Sequence, residues 1–302
     1  MPELPDVELY LSAFRARIVG QQIERIRLAT PFLLRSVAPA LEATVGRTVT
    51  GVRRIGKRIV WELDGEFFLV FHLMIAGRFK WRDRGATVPK RLGLAAFDFA
   101  AGTLLVTEAA TRKRASLHVV LGEAALTAFD PGGLDVMTST LDAFSRQLQK
   151  ENHTLKRSLT DPHLFSGIGN AYSDEILHRA KLSPFKLTRQ LSANDARALH
   201  VAVVETLAEW TARLQANAGD NFPDKVTAFH EGMAVHGRFG KPCPRCGTGV
   251  QRIVHGEHEV NYCPACQTDG RLLADRALSK LLKDDWPRTP DELERRRQKF
   301  AE

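Results

Sequence analysis

The chain opens on Met1, Pro2 and Glu3, and removal of Met1 would leave a secondary amine one residue from a carboxylate. An α-amino group has an ordinary pKa near about 8, against about 10.4 for a lysine side chain, so more of it is unprotonated at neutral pH. A secondary amine that attacks an aldehyde or an anomeric carbon gives an iminium ion, already positively charged and a strong electron sink. Glu3 is then placed to donate or accept the protons that such an attack moves. Without the rest of the chain, the same residues read as an ordinary disordered terminus.

A second group of reactive side chains lies late in the sequence. Cys243-Pro-Arg-Cys246 and Cys263-Pro-Ala-Cys266 contain all four cysteines, with residues 247–262 between them. Two such knuckles at this separation converge from the ends of a β-hairpin into a tetrahedral four-thiolate site for one Zn2+. The intervening VQRIVHGEHEVNY alternates around His255-Gly256 as a hairpin does. Four protein thiolates leave no open coordination position, so the ion is structural. Gly167, Gly169 and Asn170 form a third group, directly before a helical pattern. Glycines there let backbone N–H groups approach a phosphate, and Asn170 either caps the helix or donates its amide to a phosphate oxygen.

Composition narrows the partners. The 302 residues are 44% hydrophobic and 26% charged, as in a soluble globular protein, and suffice for two domains. The net charge of +8 and the pI near 9.5 favour a polyanion, nucleic acid before an anionic membrane. No stretch reaches the roughly 18–20 apolar residues of a membrane span. MPELPDVELYLSAF lacks the basic region and apolar run of a signal peptide. Clustered cysteines argue for a reducing compartment, so the expectation is a cytoplasmic monomer.

The elements that must position these groups can be read from periodicity. Residues 6–18 read as a helix, with Val7, Leu9, Leu11, Phe14 and Ile18 on helical spacing. From 22 to 122 short strands take over, in RTVTGVRRIGKRIVWEL, FFLVFHLMIAGRFKW, LAAFDFA and TLLVTE, with turns at Gly51, Gly56, Asp64-Gly65 and Ala101-Gly102. Such strands make a sandwich or barrel. The loop-like FDPGGLDVM at 129–137 marks a boundary, and residues 140–217 are mainly helical. RLLADRALSKLL reads as one amphipathic helix, its leucine stripe suited to packing, and DDWPRTPDELERRRQKF as a solvated, charge-dense end.

Taken together, PELPDVE, Lys57 within RRIGKRIVWEL, HLMIAGR at 72–78, GIGNAYSDEIL at 167–177 and the four cysteines followed by Gln267 closely resemble one family. It is the formamidopyrimidine-DNA glycosylase and endonuclease VIII family of base-excision repair enzymes, and the match is collinear from residue 2 to 267. The resemblance implies an α+β protein of two domains. An N-terminal β-sandwich with flanking helices would span 1–130, a linker 131–145, a helix-two-turns-helix DNA-binding domain 146–237, the zinc hairpin 238–268 and an extension 269–302. DNA would lie in the cleft between the domains. It implies a bifunctional glycosylase and abasic-site lyase acting on double-stranded DNA with damaged bases or abasic sites. Pro2 would form a Schiff base with C1′, Glu3 would assist ring opening, and Lys57 would hold phosphate and act as an acid in β-elimination. Asn170, assisted by Lys156, would hold a backbone phosphate, and His72 would contact DNA. The competing reading is a non-catalytic, zinc-containing binder of damaged DNA.

Departures from the family pattern concern the choice of lesion. Leu4 follows the formamidopyrimidine branch, whereas Asp6 replaces the usual glutamate. The methionine that fills the gap left by the flipped base falls at Ile75, with Met74 one residue earlier and, on a strand, facing the other way. The intercalating loop usually carries an aromatic wedge; EAATRKRASLH at 108–118 has none and offers Arg112, Lys113 and Arg114 for phosphate or stacking. The phosphate-binding arginine of the zinc hairpin aligns with His258, only partly charged at neutral pH, so δ-elimination is expected to be weak or to need acid. NAGDNFPDKVTAF, at the place of the base-capping loop, shows no purine-reading pattern.

Overall fold

The computed structural model describes residues 1–227, 229–255, 258–274 and 287–299. They fall into two units, Met1–Gly133 with Ala208–Ala228, and Leu134–Leu207 with Phe229–Glu302.

In the first unit, runs rich in β-branched and aromatic residues pair as two four-stranded antiparallel sheets. One has the order β1 (Arg25–Leu28), β6 (Gly93–Phe99), β7 (Gly102–Glu108), β5 (Gly77–Arg82). The other has the order β2 (Val49–Ile55), β3 (Arg58–Leu63), β4 (Phe67–His72), β8 (Ser116–Leu121). Because side chains alternate across a strand, one face of each sheet supplies a shared aromatic core. Trp61 meets Phe71 at 4.8 Å and Phe97 at 5.3 Å between ring centroids, and Phe79 meets Phe71 at 5.3 Å. Helix α1 (Leu4–Arg17) adds Tyr10 and Phe14, whose rings stand 5.2 Å and 5.1 Å from Phe79. This is the expected β-sandwich with a flanking helix.

Local details differ from the sequence reading in ways that have physical causes. Helix α1 starts at Leu4 rather than residue 6, because Pro5 suits its first turn and the Asp6 carboxylate accepts the Glu3 N–H at 2.9 Å. Gly51 is not a turn; it sits inside β2 at a register shift, where a Cβ would lie 2.4 Å from the Glu62 carboxylate. FFLVFHLMIAGRFKW is not one extended run. After β4, buried Leu73 turns the chain, Met74 adopts a left-handed φ of 53°, and the Gly77 N–H returns to the Leu73 carbonyl at 2.9 Å. Strand alternation therefore does not govern Met74 and Ile75; Ile75 lies at the tip of a turn, 55% exposed.

The second unit begins by Leu134, so the stretch expected to be a linker already contains α2 (Leu141–Gln149). It continues through α3 (Leu155–Thr160), α4 (Asn170–Arg179) and α5 (Ala193–Ala218), whose last residues belong with the first unit. The hairpin β9 (Gln251–His255) and β10 (His258–Tyr262), the short α6 (Pro264–Gln267) and α7 (Pro290–Lys299) complete it. The hairpin groups with the helical unit. The leucine-striped helix read within 271–282 falls largely outside the described residues, and the charge-dense end forms α7. Among the described residues no helix is long and apolar enough to cross a membrane.

The segment after α5 that showed no reading pattern packs against the sandwich. Phe222 stands 5.9 Å from Phe14, 6.1 Å from Tyr10 and 6.4 Å from Trp81, and Asp224 pairs with Arg82 at 2.6 Å. Phe222→Ala is expected to lower the unfolding free energy by about 2–4 kcal/mol in urea titrations; an unchanged midpoint would contradict this packing role.

Candidate active site and metal centre

The amino terminus is fixed by the helix it leads into. Pro2, Glu3 and Leu4 are buried, and Val7, Tyr10, Leu11 and Phe14 hold α1 against the sandwich. Arg54 of β2 reaches α1, its Nε donating to Glu8 Oε1 at 2.9 Å. That ties the helix to the β2–β3 hairpin, whose two-residue turn is Gly56-Lys57, with Gly56 at φ 60°. Lys57 is half-buried at this turn, as the sequence suggested. The terminal amino group has its pKa lowered by burial, against the pull of Glu3, with Arg78, Asp6 and Lys57 as further influences of both signs. The Met1 amine, the Glu3 carboxylate and the cations Arg78 and Lys57 therefore share one electrostatic neighbourhood.

The outer face of the β2-β3-β4-β8 sheet continues this positive stretch. Arg58 precedes Ile59, which lies opposite Phe71, and His72, which follows Phe71, lies opposite Ser116. The His72 imidazole is held down at about 4, mainly by burial and then by Arg58, Lys57, His118 and the terminus. His118 is lowered too, by burial and by Arg58 and Arg35. His72 is thus a neutral ring at physiological pH, able to donate one N–H to a phosphate.

The 109–115 loop is organised by a carboxylate that the sequence did not reveal as structural. Glu108 is 1% exposed and accepts the Arg114 N–H at 2.9 Å and the Ala115 N–H at 3.1 Å. The Lys113 ammonium donates to the Glu108 carbonyl, which spends it inside the loop. Arg112 and Arg114 are the exposed cations there. The three basic residues are therefore not equivalent, and Lys113 serves loop shape.

In the second unit α4 is the hub. Gly169 is its N-cap and Asn170 its first helical residue, so Asn170 does not cap it and its side chain remains half-exposed. Lys156 is 7% exposed, with its Nζ 2.5 Å from Asp174 Oδ1 and 2.6 Å from the Asn170 carbonyl. It supports Asn170 from behind instead of presenting an ammonium at the surface. Asp174 also meets His236 Nδ1 at 2.8 Å and the Asn261 N–H at 3.1 Å. Glu175, pushed up by burial, accepts N–H groups from Ala234, Val235 and His236 at 2.7–2.9 Å. Charged groups this deeply buried persist only when fully paired. Asp174, Glu175 and His236 escaped the sequence reading because their partners are distant along the chain.

The four cysteine sulfurs lie within 4.8 Å of one another. A tetrahedron with metal–sulfur bonds of about 2.3 Å has edges of about 3.8 Å, so the site fits zinc. Cys243 Sγ is 4.0 Å from Cys266 Sγ, and Cys246 Sγ 3.4 Å from Cys263 Sγ. Burial pushes Cys263 up and Cys266 up to about 11, so a dication is what lets these thiols ionise together. Gln267 staples the site: its Oε1 accepts the Cys263 N–H at 2.9 Å and its Nε2 donates to the Leu182 carbonyl at 3.0 Å. His178 Nε2 lies 3.2 Å from Cys243 Sγ. His258 opens β10, and its side chain lies outside the described residues.

This geometry has two measurable consequences. Elemental analysis should give one zinc per chain, and chelation should unfold the hairpin, because its small core is Val235, Val250, Cys243 and Cys263, with Cys266 packed against them; folded protein with far less zinc would contradict the site. His72 is neutral when folded and protonates near about 6.5 when unfolded, so its contribution is lost as pH falls from about 6.5 towards 4. The unfolding free energy from urea titrations should fall over that range with a slope of up to about 1.4 kcal/mol per pH unit that His72→Gln removes; equal slopes in the two proteins would count against it.

Comparison with known proteins agrees with this architecture segment by segment. The formamidopyrimidine-DNA glycosylase N-terminal domain matches residues 1–120, that family's H2TH domain residues 132–217, and the zinc finger found in FPG and IleRS residues 240–268. A formamidopyrimidine-DNA glycosylase of Thermus thermophilus is 34% identical over 280 residues, covering 89% of this chain and all of that one. The Lactococcus lactis Fpg in complex with abasic-site DNA superposes with a TM-score of 0.77 at 27% identity, covering 88% of this chain and 99% of that one. The wild-type Lactococcus lactis protein with DNA containing an oxidised pyrimidine gives 0.78 at 28% identity, over 88% of this chain and 100% of that one. With sandwich, H2TH helices and four-cysteine finger all present in order, the chain belongs to the formamidopyrimidine-DNA glycosylase family.

Proposed function

We propose that the protein is a bifunctional DNA glycosylase and abasic-site lyase of base-excision repair, with Pro2 as its nucleophile. The observation that carries this is the buried amino terminus with its lowered pKa, beside Glu3, Lys57 and Arg78. The lowered group is the Met1 amine; once Met1 is removed, the free amine is that of Pro2, which is itself buried, and burial favours a neutral amine.

In this reading the damaged nucleotide leaves the stack so that its sugar can be reached. The Pro2 nitrogen lone pair forms a bond to C1′, and the C1′–base bond breaks with its electron pair going to the base. The departing base takes a proton from water; Glu3 removes the N–H proton of the attached Pro2 and passes it to the ring oxygen as the nitrogen lone pair opens the sugar, leaving a cationic iminium. That cation makes the C2′ proton acidic; its removal expels the 3′ phosphate in β-elimination. Lys57 neutralises phosphate and supplies a proton, and Asn170, at the N-terminus of α4 and propped by Lys156, donates to a second phosphate. His72, Ile75, Arg112 and Arg114 complete the DNA contacts, Ile75 as the exposed apolar tip that fills vacated space. Zinc, held by Cys243, Cys246, Cys263 and Cys266, keeps the hairpin rigid. The cytoplasm, where its thiols stay reduced, is the proposed compartment.

The test is strand cleavage of a duplex with one abasic site, using protein with a native terminus. Wild type should cleave and be trapped by borohydride; Pro2→Gly should cleave at least about 100-fold more slowly while still binding the duplex. Wild type that binds but neither cleaves nor traps would favour the non-catalytic binder.

A further inference from the structure

One exposed aromatic ring has no part in the catalytic or metal site. Phe32 is 72% exposed, and among the described residues no ring or guanidinium stacks on it. It sits in the 3-10 turn Pro31–Leu33, which packs on β8. The turn is well fixed: Leu33 N–H returns to Thr30 O at 3.3 Å, Leu34 N–H to Pro31 O at 3.2 Å, and Leu33 is buried. The chain then runs parallel to β8, with Leu34 bridging Leu117, Arg35 N–H donating to the Leu117 carbonyl at 2.8 Å and Val119 N–H donating to Ser36 Oγ at 2.8 Å.

This register sets the surroundings of the ring. Leu34, two residues after Phe32, bridges Leu117, so the turn that carries the ring sits against β8, the strand that follows the loop of Arg112 and Arg114. Arg35, exposed three residues on, is felt by His118, and His118 by Arg58, which also acts on His72. The ring therefore lies at one end of the positive stretch that leads to Lys57 and the amino terminus. A rigidly held aromatic among cations is the arrangement that binds nucleic acid through base stacking and phosphate neutralisation. The 109–115 loop itself contains no aromatic.

We propose that the Phe32 ring stacks on an unpaired base of the bound DNA, with Arg35, Arg112 and Arg114 neutralising the phosphates around it. The inference rests on the DNA-repair reading and adds to it a residue for holding the distorted duplex. Because the turn is already ordered in the free protein, stacking loses little conformational freedom. A ring has two faces for any base, so this contact recognises an unpaired base without selecting its identity.

The test uses the full chain and a duplex carrying a tetrahydrofuran abasic analogue opposite 2-aminopurine. Wild type should quench 2-aminopurine fluorescence on binding. Phe32→Ala should lose the quench and bind about 5- to 100-fold more weakly, and Phe32→Trp should restore both. Substitution at so exposed a position leaves folding intact, which a matching urea midpoint verifies. Borohydride trapping of wild type on a natural abasic site runs in parallel. Trapping with Phe32→Ala unchanged in quench and affinity overturns stacking and leaves the enzyme standing. Quenching by wild type without trapping sinks the enzyme and leaves stacking standing. A change in sedimentation of the free protein on Phe32→Ala, with DNA binding unaltered, makes the ring a contact between copies and overturns the proposal.

Discussion

The amino terminus of this chain is held in place by the packing of helix α1 against the sandwich. Its first turn is closed by the Asp6 carboxylate on the Glu3 N–H, and its inner face is sealed by Tyr10 and Phe14 against Phe79 and Trp61. A terminal residue normally frays, because nothing offsets the entropy of ordering it. Here the aromatic core beneath α1 supplies that offset, and Glu8 with Arg54 brings the Lys57 turn to the same helix. Burial then does the electrostatic work, withdrawing water from the amine and lowering its pKa.

The second unit solves a similar problem by different means. Its small apolar core near the cysteines cannot hold a hairpin alone, so α4 binds surrounding segments through buried charge. Asp174 gathers Lys156, His236 and Asn261, and Glu175 gathers three consecutive N–H groups. The same helix presents Asn170 at its start and His178 against Cys243 near its end. Loss of Asp174 would leave the buried Lys156 uncompensated, and loss of Glu175 would leave three backbone N–H groups without their acceptor.

Much of this was legible in the residues. The cysteine spacing admits one tetrahedral solution, and Gly56-Lys57 between two β-rich runs has to be a hairpin turn. What escaped were features decided by distant partners or by one buried side chain. Leu73 turns the chain after β4, so a strand alternation argument for Met74 and Ile75 did not apply. Gly51 looked like punctuation but accommodates the Glu62 carboxylate inside a strand. Lys156 has the composition of a surface cation, and only Asp174, eighteen residues on, makes it a buried one. Phe222 lies in a stretch whose loop-like sequence gives no hint of the four aromatic and cationic neighbours Tyr10, Phe14, Trp81 and Arg17.

The central claim is that the reacting nitrogen is that of Pro2. The most direct measurement is peptide mapping by mass spectrometry of the reduced adduct formed with abasic DNA. The account predicts a mature chain lacking Met1 and a sugar remnant on the terminal peptide, at the Pro2 nitrogen. A remnant attached to Lys57 or another lysine, or a terminus still carrying Met1, would contradict it.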